Sequence, residues 1–161
     1  MRKWKHATAI VAMAGLATSA LGADGDIVFT NETDDSIKFL SGGSLTTLVT
    51  FADPSTRLAG ITRAGNGRWY VANGPIPPTE SSAAIYEIDD IFSATPNVSV
   101  LAAGNPTQNP IALRWDKSRN VLLSTNNPGH HPPLTYLDGI MAYALDGTST
   151  AVWTEPDPVS R

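Results

Sequence analysis

The chain has 161 residues, of which 42% are hydrophobic and 16% charged, with 13 Gly, 12 Pro, no Cys and a formal net charge of −4. That length suits a single domain, and the apolar share excludes a wholly disordered or collagen-like chain. The absence of cysteine excludes a disulfide-built scaffold, and the acidic balance argues against nucleic acid as a partner.

In chain order, the first 22 residues read as a separate unit. Met1–His6 carries Arg2, Lys3 and Lys5, Ala7–Ala17 is uncharged and mostly apolar, and Thr18–Gly22 is small and polar. A basic start, a short apolar stretch and a small-residue end are the features of a secretory signal peptide, so export to the extracellular space or periplasm is expected. The apolar stretch is too short to span a bilayer, and no membrane span is expected in the chain from residue 23 to 161. Cleavage after Gly22 would remove three basic residues and none of the 15 acidic ones. The exported chain would then be more acidic still, and would repel phosphate backbones and anionic lipid.

Beyond the leader, the expected domain covers residues 23–161 and is built from repeated units. In the first unit, about 25–52, three short runs read as strands: Asp26–Thr30, Ser36–Leu40 and Leu45–Phe51, with Gly42-Gly43 as a tight turn. The second and third units, about 58–103 and 110–155, align over most of their length. Gly60 matches Ala112, Trp69 matches Val121, Asn73 matches Thr125 and Val100 matches Val152, each pair 52 apart. Each of these units reads as four β-branched or aromatic runs separated by turn clusters. In the third they are Ile111–Trp115, Asn120–Thr125, Gly139–Leu145 and Ser149–Thr154, with Asp146-Gly147 as a hairpin signal.

The fold class this implies is all-β, with consecutive four-stranded antiparallel blades of a partial β-propeller, truncated or open. The phrases GDIVFTNETDDSIKFL, GRWYVANG and IYEID, together with the repeat length, resemble the NHL-repeat and gluconolactonase-like superfamily of six-bladed propellers. The resemblance runs from about Gly25 to Glu155. Three blades do not close a ring, since closure takes about four to eight. The favoured expectation is therefore the front part of a longer propeller; the other is self-association through exposed blade faces. Both leave apolar blade faces bare in an isolated monomer.

Function is expected where a regular scaffold varies. In propellers the connections from second to third strand lie on the ligand-binding side, and here they differ. Asn31–Asp35 is short and acidic, Gly74–Ser82 is Pro-rich, and Asn126–Leu137 holds His130, His131 and Tyr136 between prolines. Stiffened by Pro128, Pro132 and Pro133, the last loop is the expected ligand-binding surface for a protein or glycan partner. An Asn also recurs where each second strand ends, at Asn31, Asn73 and Asn126. The resemblance implies that amides and carboxylates at these ends gather around an axial calcium ion in lactonases and related lyases. The alternative is that each Asn bonds its own turn, as Asn commonly does. Trp69, Trp115 and Trp153 are expected in core or inter-blade packing. No GxSxG, HExxH, P-loop or EF-hand pattern is present. The expected role is thus a secreted recognition module, with a calcium-dependent gluconolactonase-like hydrolase or lyase as the alternative.

Overall fold

In a computed structural model, residues 25–52, 57–74, 83–103, 109–126 and 139–154 are described. They form eleven strands and, among the described residues, no helix. The expected leader lies outside the described residues. Among those described, no helix is long and apolar enough to cross a membrane.

Three consecutive antiparallel meanders make up the fold. The first contains β1 (Ile27–Asn31), β2 (Ser36–Ser41) and β3 (Ser44–Thr50). The second contains β4 (Leu58–Arg63), β5 (Trp69–Asn73), β6 (Ala84–Asp89) and β7 (Asn97–Ala103). The third contains β8 (Pro110–Asp116), β9 (Val121–Asn126), β10 (Gly139–Tyr143) and β11 (Ser149–Thr154). The all-β, blade-by-blade architecture expected from the repeats is therefore present, with strand ends within a residue or two of expectation.

Local chemistry explains the ends. The β2–β3 connection is Gly42-Gly43 with φ of 55° and 80°, the left-handed pair that a two-residue hairpin requires. Strand β10 stops at Tyr143 and not at Leu145, because Ala144 and Gly147 enter a turn closed by Ala144 N–H to Thr148 O and Gly147 N–H to Ala144 O. The side chain of Asp146 accepts from the N–H and hydroxyl of Thr148 at 2.9 and 2.7 Å, which fixes the turn and holds its own carboxyl below the usual range. The β4–β5 turn is built alike: Ala64 N–H donates to Arg68 O, Gly67 N–H to Ala64 O, and Asn66 takes the acceptor role of Asp146.

Pairing register corrects one part of the repeat alignment. Asn73 lies opposite Leu58 and Ala84, and Asn126 lies opposite Pro110 and Gly139. Asn73 is thus equivalent to Asn126 and not to Thr125, and Trp69 is equivalent to Leu122 and not to Val121. The cause is that the β8–β9 hairpin holds one residue more beyond the pair Trp115–Leu122 (116–121) than the β4–β5 hairpin holds beyond Arg63–Trp69 (64–68). A one-residue slip sends a side chain to the opposite face, so this difference decides which residues meet. Val100 likewise corresponds to Ala151, because each faces the equivalent residue of the third strand, Tyr86 or Met141. Each blade carries a bulge at the same place in its outermost strand, at Leu48, Leu101 and Val152.

Two apolar layers hold the blades together. Between the first and second lie Ile37, Leu58, Val71, Ile88 and Ile91, with Val28, Leu48, Val49 and Trp69 against them. Between the second and third lie Tyr70, Ala72, Ile85, Leu113, Leu122, Met141 and Tyr143, with Leu101, Ala102 and Trp115 against them. The inner strands β4 and β8 run so close that a Cβ on Gly60 would fall on Leu113 N. Trp69 and Trp115 pack between blades as expected. Trp153 does not: it is 52% exposed, because no sheet covers that face among the described residues.

Candidate functional site

The equivalent Asn31, Asn73 and Asn126 end β1, β5 and β9, so they mark one edge of the blade stack. The connections that leave this edge span 32–35, 74–83 and 127–138. His130, His131 and Tyr136 fall in the last of these and lie outside the described residues.

Asn31 and Asn73 are used differently. The Asn31 side-chain oxygen accepts from Thr33 N–H at 3.1 Å, closing its own exposed turn. Asn73 is 1% exposed, and its oxygen accepts from Arg57 N–H at 2.6 Å. Gly74 N–H in turn donates to Arg57 O at 3.0 Å, so the entry to β4 and the exit from β5 are tied together. Asn126 is 7% exposed at the matching place in the third blade.

Arg57 also reaches across the blade boundary, pairing its Nε with Glu32 at 2.5 Å. In the same acidic connection, Asp34 pairs with Lys38 at 2.6 Å and accepts from Ser36 Oγ at 2.5 Å. Lys38 first, and then Ser36, hold the Asp34 carboxyl below its ordinary value. Glu32 and Asp34 are therefore each engaged with a cation belonging to the protein, while Asn31 and Asn73 turn their oxygens to backbone N–H groups. A calcium ion favours several oxygen ligands that include carboxylates. Among the described residues no three His, Asp or Glu side chains gather in a metal-holding group.

Removing the Asn73 oxygen strands a backbone N–H at the entry to β4. Asn73→Ala is expected to lower unfolding stability by about 1–3 kcal/mol, the cost of an unsatisfied donor, and Asn31→Ala by less because its turn is open to water. Urea unfolding of the two variants side by side checks the difference.

A second polar cluster lies at the opposite edge, in the second blade. Asn66 Nδ2 donates to the Tyr70 hydroxyl at 2.8 Å, and that hydroxyl donates to Glu87 Oε2 at 2.7 Å. Arg68 Nη1 meets the other Glu87 oxygen at 2.7 Å, and its Nη2 lies 3.5 Å from Asp89. Burial above all pushes the Tyr70 hydroxyl up to about 12, so at neutral pH it is a fixed donor and not a base. The chemistry of this cluster is that of a closed hydrogen-bond network locking β5 to β6. The sequence signal for it was the alternation Asn66, Arg68, Tyr70, which becomes informative only once Tyr70 is known to face Glu87.

No protein-family model matches the chain. No curated protein matches it either. Among solved structures, it is similar to a selenomethionine-substituted virginiamycin B lyase from Staphylococcus aureus, at 14% identity and a TM-score of 0.42, over 86% of this chain and 55% of that one. The chain thus spans about half the length of that structure.

Proposed function

We propose that the chain is an exported, propeller-like recognition module that contacts a protein or glycan through the connections leaving the Asn31, Asn73 and Asn126 edge. One observation carries this reading. Equivalent strand ends open into three connections unlike in length and composition, over 32–35, 74–83 and 127–138. Connections that vary on a regular scaffold are where binding residues concentrate. The basic, apolar and small-residue order of the first 22 residues supports export.

The test is binding of the exported chain to an array of glycans and a panel of secreted proteins, repeated with a His130→Ala, His131→Ala, Tyr136→Ala variant. Loss of the bound signal in a variant with unchanged circular dichroism is the expected result. Unchanged binding by that variant removes the 127–138 connection from the surface. Calorimetric titration with calcium accompanies it: saturable binding that Asn73→Ala and Asn126→Ala weaken would replace this reading by the metal-dependent hydrolase or lyase.

A further inference from the structure

Asn-Gly occurs twice in the chain, at Asn66-Gly67 and Asn73-Gly74. In such a pair a backbone nitrogen readily attacks the side-chain amide, because glycine has no Cβ to crowd the ring that forms. The fold treats the two pairs differently. Asn73 is 1% exposed, and Gly74 is so enclosed that an added Cβ would fall on Asn109 Oδ1 and lie 3.0 Å from Pro110 O. Asn66 and Gly67 are exposed in the β4–β5 turn, where the atom nearest an added Cβ on Gly67 is Arg63 Nη2, at 3.9 Å. Arg63 also donates from Nε to Gly67 O at 3.1 Å. A cation thus sits beside the Gly67 nitrogen and favours its loss of a proton.

Three hydrogen bonds oppose the attack. Gly67 N–H donates to Ala64 O at 3.0 Å, Asn66 Oδ1 accepts from Arg68 N–H at 3.0 Å, and Asn66 Nδ2 donates to the Tyr70 hydroxyl at 2.8 Å. The first two recur in the third blade, where Gly147 N–H meets Ala144 O and Asp146 accepts from Thr148 N–H. That turn carries a carboxylate, so the turn itself needs only an acceptor. Among the described residues, the amide nitrogen of Asn66 serves the Tyr70 hydroxyl.

We propose that Asn66 is a covalent modification site that closes on Gly67 when its side chain leaves the Tyr70 hydroxyl, and that Tyr70 is the residue holding it back. Gly67 N gives its proton to solvent and bonds to Asn66 Cγ. The Cγ–Nδ2 bond breaks, and Nδ2 takes up a proton from solvent and leaves as ammonia. Water then opens the ring at either carbonyl, leaving aspartate or isoaspartate at position 66. Neither product restores the lock. The Tyr70 hydroxyl has one proton and gives it to Glu87 Oε2, so a carboxylate at position 66 meets only its lone pairs. Aspartate still serves the turn as Asp146 does, whereas isoaspartate lengthens the backbone and shifts Gly67 N–H off Ala64 O.

The experiment is peptide mass mapping of the full chain held in mildly alkaline buffer, with and without urea. Conversion of both asparagines in urea sets their intrinsic rates. Without urea, Asn66 is expected to become an acid while Asn73 keeps its amide. Tyr70→Phe is expected to speed conversion at Asn66 about 2- to 10-fold, the worth of one hydrogen bond expressed as a population ratio, and to leave Asn73 unchanged. The ratio of the two rates within one chain is the readout, so a variant that only unfolds more often raises both and overturns the role of Tyr70. An unchanged rate at Asn66 in that variant overturns it as well. Retention of both amides in the native wild-type chain, while urea converts them, overturns the site.

Discussion

Gly60→Ala is expected to cost about 3 kcal/mol or more, at the upper end of what an inserted methyl costs in a packed interior. The reason is geometric. The added Cβ would fall on Leu113 N and approach Ala112 Cα at 3.0 Å, and both are backbone atoms of β8 that no rotamer change can move aside. Relief would require β4 and β8 to separate. That would pull Thr62 Oγ1 away from Trp115 N–H, which it accepts at 3.3 Å across the blade boundary. The outcome is a large fall in the urea midpoint accompanied by loss of the Trp115 near-ultraviolet signal. A variant as stable as wild type would show that the inner strands are not in van der Waals contact.

Leu122→Ala is expected to cost about 2–5 kcal/mol, since it empties a fully buried position. Leu122 lies opposite Trp115 on one side and Tyr143 on the other, inside the layer between the second and third blades. The surrounding residues come from two sheets whose backbones are fixed by their own ladders, so collapse around the hole is limited. Differential scanning calorimetry should show a melting temperature lower by on the order of 10 °C. Val100→Ala is the matched control: Val100 is 57% exposed, and surface changes of this kind stay within about 0.5 kcal/mol. Equal effects at the two positions would mean that the layer does not carry the stability of the third blade.

The strands and turns were legible in the sequence because their signals are local. Gly42-Gly43 and Asp146-Gly147 name their hairpins, and runs such as Ile27–Asn31 and Trp69–Asn73 are rich in β-branched and aromatic residues. The recurrence of Asn at the strand ends was legible too, and pairing places all three at equivalent points. What the sequence left ambiguous was register. A uniform 52-residue offset is correct for β4 against β8, where Leu58 and Pro110 both face the terminal Asn, and fails by one for β5 against β9. Nothing local distinguishes Thr125 from Asn126 as the partner of Asn73; cross-strand pairing does. The same limit hid the Tyr70–Glu87 network, whose members are 17 residues apart. Trp153 was misplaced for a different reason, since residue type predicts packing and only a neighbouring sheet can provide it.

Among the described residues the two apolar layers share no residue, and each draws only on adjacent sheets. Of the three described sheets, the second contributes to both, with Val71 and Ile88 in one and Tyr70 and Ile85 in the other. Free energy in such an array behaves like that of a short linear chain of coupled units, with sheet terms and nearest-neighbour terms and little else. The consequence is a built-in gradient: the terminal sheets can open one at a time, while the middle sheet opens only when both couplings are lost. Among the described strands, the last backbone amides to exchange would be those of β5 and β6.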